Sequence, residues 1–122
     1  MSEFGRRIRP HVENEILAAR QAEARGQPEI AFSHLERAHV LGQASTVEHV
    51  RVHWHMLFWG IRQRNVRECL GQLLRIVGAA IGTAVGLAPQ GNTGGTNVNP
   101  FKRMPIPPEL AARIAEARAS GK

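Results

Sequence analysis

Residues 28–62, PEIAFSHLERAHVLGQASTVEHVRVHWHMLFWGIR, decide the fold class. Pro28 opens a stretch in which Ala31, Leu35 and Ala38 fall on one helical face, and Gly42 stops it, so a helix is predicted over about residues 28–40. Ser45-Thr46-Val47-Glu48 then fits a capping box, in which the Ser hydroxyl accepts from the third helical N–H and the Glu carboxylate reaches back to the cap. The next helix is predicted over about residues 46–63, with Val47, Val50, Trp54, Leu57, Phe58 and Ile61 as a buried stripe. The two helices should run antiparallel across the Gly42 turn.

The flanking sequence extends the pattern. A first helix is predicted over about residues 11–25, with Pro10 in its opening turn and Gly26 at its end. Asn65 is suited to cap a fourth, over about residues 66–78 or longer, carrying Val66, Cys69, Leu70, Leu73, Leu74 and Val77 inward. Gly78, Gly82 and Gly86 recur at every fourth position, which would let another backbone approach closely, or would fray the helix. Pro and Gly make the chain irregular from Pro89 onward, and a short helix is predicted over about residues 108–119. With 122 residues, no Tyr and much Ala, Leu, Arg and Glu, the expectation is an all-α protein. Its helical domain would span about residues 1–88, with residues 89–122 as a tail packed on the same domain.

Bulk properties remove several function classes. The net charge of +6 and pI near 11.2 suit an acidic partner. The basic residues are dispersed, however, in small groups such as Arg6-Arg7 and Lys102-Arg103, with no interleaved aromatics and no reader motif, which argues against nucleic acid. The most apolar run, from Ile76 to Ala88, is about thirteen residues and too short to cross a membrane. A single cysteine, Cys69, forms no internal disulfide and suits a reducing compartment, and the polar N-terminus lacks the apolar core of a signal peptide. A cytoplasmic location is the expectation.

Five of the six histidines, His34, His39, His49, His53 and His55, lie within one stretch of twenty-two residues. Imidazole is the commonest protein ligand for zinc, copper and nickel. His49 and His53 are four residues apart and share a helix face, and the antiparallel pairing sets His39 level with His49 and His34 level with His53. His34 and His39 stand about 140° apart around their helix, so one of them supports while the other points at the centre. A fold-back at Gly26 brings Glu15 near the level of His39, as a ligand or as a partner to an imidazole. The candidate metal residues are therefore His39, His49, His53, His34 and Glu15, for zinc, copper or nickel. The alternative is that the histidines pack and hydrogen-bond as structural residues.

Catalysis has less support. His53 with Glu48 lacks the His-Glu-x-x-His order of a zinc protease, and no serine sits in a nucleophile elbow. The Gly91 to Gly95 stretch lacks the Lys-Ser/Thr ending of a phosphate loop and reads as a tight turn.

Along the first helix pair, Ala19, Gly26, Ala31, Leu35 and Ala38 resemble a tetratricopeptide unit, and Cys69, Leu73 and Ile76 could serve a second, degenerate one. A closer resemblance is carried by His34-Leu35-Glu36-Arg37-Ala38-His39 with Leu41-Gly42-Gln43, and by His49-Val50-Arg51-Val52-His53-Trp54. Leu70-Gly71-Gln72-Leu73-Leu74-Arg75-Ile76, Gly91-Asn92-Thr93-Gly94-Gly95 and Met104-Pro105-Ile106-Pro107 extend it over nearly the whole chain. Together these segments resemble a family of short bacterial proteins catalogued as domain of unknown function 3703. The resemblance implies a compact helical protein, makes the histidine positions part of a family pattern, and implies no reaction. Two functional expectations remain: a transition-metal-binding protein in metal handling or sensing, or an interaction module whose hairpins dock a protein partner or a second copy.

Overall fold

The structure is a computed structural model that describes residues 2–84, 90–99 and 102–119, with the backbone alone described at 83 and 84. Among the described residues the chain is all-α, with helices α1 (Glu3–Ala24), α2 (Pro28–Gly42), α3 (Thr46–Arg62), α4 (Val66–Ala84) and α5 (Pro108–Ala119). The last predicted glycine of the every-fourth series, Gly86, lies outside the described residues, as does Pro89.

The first helix starts a full two turns earlier than the proline suggested. Ser2 caps it by accepting from the Gly5 N–H at 2.9 Å, and Pro10 sits inside the helix. The early turns persist because Ile8 is fully buried on the same stripe as Val12 and Ile16, so packing outweighs the backbone hydrogen bond that Pro10 cannot make. The two caps read from side chains hold in part. Asn65 Oδ1 accepts from Glu68 N at 3.0 Å, and Ser45 Oγ accepts from Glu48 N at 3.4 Å. The Glu48 carboxylate does not reach back to Ser45, whose N–H donates to the Gly42 carbonyl instead; it is fully buried and takes Arg9 at 3.1 Å.

Helix α1 packs most extensively on α2, and α3 on α4; α2 joins the two pairs, and α5 lies against α1 and α2. The small residues Ala19, Ala31 and Ala38 are buried with Leu35, as the spacing indicated, and Val52, Met56 and Leu110 complete the core. At Gly60 the helices α3 and α4 come close: a side chain there would meet Cys69 Sγ at 3.1 Å.

The inward faces of α3 and α4 differ from the predicted ones. Val47, Trp54, Phe58 and Ile61 of α3 are exposed, and the helix buries Glu48, His49, Val52, His53, Met56, Leu57 and Trp59. On α4, Val66, Leu70, Leu73, Leu74 and Val77 face outward, while Glu68 and Gln72 are buried and Cys69 is half-buried. Of the three positions that could serve a second, degenerate unit, Leu73 is exposed while Cys69 and Ile76 are half-buried. Gly78 and Gly82 meet no atom of the chain that a side chain there would crowd.

Two helix ends make the same turn with different residues. After α1, Gly26 (φ +75°) is followed by Gln27 N donating to the Ala22 carbonyl; after α3, Arg64 (φ +55°) is followed by Asn65 N donating to the Gly60 carbonyl. Glycine adopts this backbone freely, whereas an exposed arginine is strained there. Arg64→Gly is expected to raise the unfolding free energy by about 0.5 kcal/mol, the relief of strain being partly offset by the looser unfolded chain. A rise in the urea midpoint at unchanged slope would show it.

Candidate metal centre

Three imidazoles converge in the interior. His39, near the end of α2, and His49 and His53, one turn apart on α3, are all buried, and one ligand atom from each lies within 4.8 Å of the others. His39 is the centre: its Nε2 is 2.9 Å from His49 Nε2 and 3.1 Å from His53 Nε2. A tetrahedral ion with bonds of about 2.0–2.1 Å separates its ligand nitrogens by roughly 3.3 Å, so the two spacings around His39 are close to those one ion would require.

The other ring nitrogens settle the protons. His39 Nδ1 lies 2.5 Å from the Asn92 carbonyl, which can only accept, so Nδ1 carries the hydrogen. His53 Nδ1 lies 2.5 Å from Gln72 Oε1. The Gln72 amide nitrogen is held at the other end by two acceptors, Glu68 Oε2 at 2.6 Å and the Gly94 carbonyl at 2.9 Å, so its oxygen must face His53, and His53 Nδ1 donates. Both imidazoles thus turn bare Nε2 lone pairs toward each other, and His49 Nε2, 2.9 Å from that of His39, either donates to it or joins it on a metal ion.

All three rings are uncharged at neutral pH. Burial, then the neighbouring His53 and His49, hold His39 well below the usual histidine range. Burial and then His53 lower His49 to about 3. Burial lowers His53 to about 4, against the Gln72 hydrogen bond and with help from the Arg75 charge. Neutral imidazole is the form that binds metal.

A loop holds the triad from outside. Asn92 is buried and donates through Nδ2 to the Asn99 and Lys102 carbonyls at 2.8 Å each, while its Oδ1 accepts from Gly94 N at 2.9 Å. Arg75 donates to the carbonyls of Gly94 at 2.8 Å and Val98 at 2.8 Å. Glu68 Oε1 accepts from Thr96 Oγ1 at 2.8 Å. Gly94 has φ +84°, and a side chain there would stand 2.5 Å from the His39 ring.

Two of the expected site residues fall elsewhere. His34 Nδ1 lies 2.8 Å from Glu15 Oε1, and Arg37 donates to Glu15 Oε2 at 3.1 Å and to Glu109 at 2.8 Å. This half-buried network ties α1, α2 and α5 together, and among the described residues Glu15 and His34 are not part of the three-histidine group. His55 is half-buried in a cavity with Phe58 and Arg62, and lies outside that group too. Sequence reasoning missed Gln72, Asn92, Gly94 and Arg75 as site residues. Their signal was their place in Leu70 to Ile76 and Gly91 to Gly95, two of the segments that carry the family resemblance.

A family model described as "Protein of unknown function (DUF3703)" matches residues 6–114. The chain belongs to that family. All three clustered histidines and the residues that orient them lie inside the matched segment. No curated protein and no solved structure matches the chain.

Two outcomes follow from this packing. Gly94→Ala forces a side chain into the His39 ring from a left-handed backbone, and is expected to lower the unfolding free energy by about 2–3 kcal/mol in denaturant titration. In the metal-free protein, His49 and His53 stay uncharged down to about 3 and about 4, whereas in the unfolded chain they protonate near 6.5. The unfolded state therefore binds more protons between these values, and stability falls as the pH is lowered through 6.5 toward 4. A urea midpoint that drops over this range, with a shallower drop in His49→Gln/His53→Gln, would bear this out.

Proposed function

We propose that this protein binds a transition-metal ion, zinc, copper or nickel, through Nε2 of His39, His49 and His53, and serves in metal handling or sensing. The observation that carries the reading is the facing pair of bare nitrogens at 3.1 Å on His39 and His53, each fixed in that tautomer by its own Nδ1 partner. Three neutral nitrogen donors suit ions of borderline softness and offer nothing to calcium or magnesium, which take oxygen. Asn92 and Gln72 orient the rings; Glu68, one hydrogen bond beyond Gln72, is a carboxylate close to the site. Glu15 and His34 are left out of the ligand set because they hold each other. Three protein ligands leave a coordination position for water or a small exchangeable ligand, which suits an ion that is passed on or sensed.

The deciding experiment is metal analysis of purified untagged protein by mass spectrometry, with zinc, copper and nickel titrated into the metal-free form. One ion per chain is expected, with a higher melting temperature on loading. Affinity should drop at least a hundredfold in His49→Gln/His53→Gln. Binding no tighter than micromolar, with a melting temperature indifferent to metal, would sink the proposal and return the histidines to a packing role.

A further inference from the structure

We infer that two copies of this chain pair through the outward face of α3 and α4. The face begins on α4, where Val66, Leu70, Leu73, Leu74, Val77 and Ile81 are between 49% and 78% exposed. They recur at steps of three or four residues, with Leu73 and Leu74 adjacent, and so form one apolar stripe along the helix. Among the described residues α3 is the only helix on which α4 packs, so nothing in the described chain covers this seam. On α3, Trp54, Phe58 and Ile61 continue the surface at 42% to 56% exposure, and the Trp54 and Phe58 rings lie 5.9 Å apart. Leu57, buried at its edge, and Gly60, against Cys69, lie toward the contact between the two helices.

The size of the face selects a protein occupant. Taking about 180 Å² for each fully exposed side chain, these nine carry on the order of 900 Å², more than the roughly 300–600 Å² of the largest apolar patch on an ordinary monomer and close to the 800 Å² each partner gives to a stable complex. The charge pattern selects a second copy. Despite a net charge of +6 for the chain, the exposed positions of α4 from Val66 to Ile81 hold one charged residue, Arg67. A face with so little charge along its length meets its own image around a two-fold axis with little repulsion, as an isologous contact requires. The exposed arginines beside the face, Arg62, Arg64 and Arg67, gather at the one end where α3 turns into α4, whereas a helix lying on a lipid surface carries Lys and Arg along its whole polar side. Pairing α3 and α4 with their copies makes a four-helix arrangement of long apolar seams. The inward side of α4, with Gln72, stays turned to the histidines, so pairing does not depend on metal.

Sedimentation equilibrium of the full chain, metal-free and metal-loaded, tests this. At tens of micromolar the mass should be twice 13.4 kDa, and that of Leu70→Glu/Leu74→Glu should be 13.4 kDa with the same helical circular dichroism. Trp54 provides a second reading on the wild type: its emission should shift to the red on dilution through the dissociation range. A wild type that stays at 13.4 kDa overturns the inference, whether it remains free or sediments with anionic vesicles, and so does a double variant that keeps the doubled mass.

Discussion

The side-chain amide of Gln72 holds the site together. Fully buried on α4, it accepts from His53 through its oxygen and donates through its nitrogen to Glu68 and to the carbonyl of Gly94. A buried amide with an unmatched end is destabilising, so its two ends have to face these partners and no others. The tautomer of His53 follows from that, and the Gly94 contact brings in the loop whose Asn92 carbonyl sets the tautomer of His39. Removing the amide would release a helix, a loop and two imidazoles together.

The same constraint explains why α4 is turned with its polar side inward. A helix has one face to offer its neighbour, and here that face carries Glu68, Gln72 and Arg75, bound to α3 and to residues 94–98. The apolar side is then left outward with no helix over it among the described residues. Helix α3 pays in the same way, burying Glu48, His49 and His53 while Trp54 and Phe58 face out. A second copy over the outer face would give those side chains the burial that the first chain denies them.

The Glu15, His34 and Arg37 network does a different task with similar residues. It is half-buried, contains a charged carboxylate and an arginine, and joins α1 to α2 and, through Glu109, to α5. The histidine cluster contains neither and is buried. Spacing along the chain could not separate the two groups, because Glu15 and His34 stand at levels compatible with either. What separates them is which way each helix is rotated, and that is set by contacts far away in sequence.

Helix existence, the stops at Gly26 and Gly42, the caps at Ser45 and Asn65 and the buried Ala19, Ala31, Leu35 and Ala38 were legible in the sequence, since each rests on bonds and sterics within a few residues or on small side chains that fit between helices. So was the gathering of histidines, through the His49 and His53 spacing. The start of α1, the inward faces of α3 and α4, and the partners Gln72, Asn92 and Gly94 were not. Hydrophobic periodicity finds the apolar side of a helix but assumes that this side turns inward. Here the tertiary structure decides otherwise, because buried imidazoles need hydrogen-bond partners, and those partners come from residues 19 to 53 positions away.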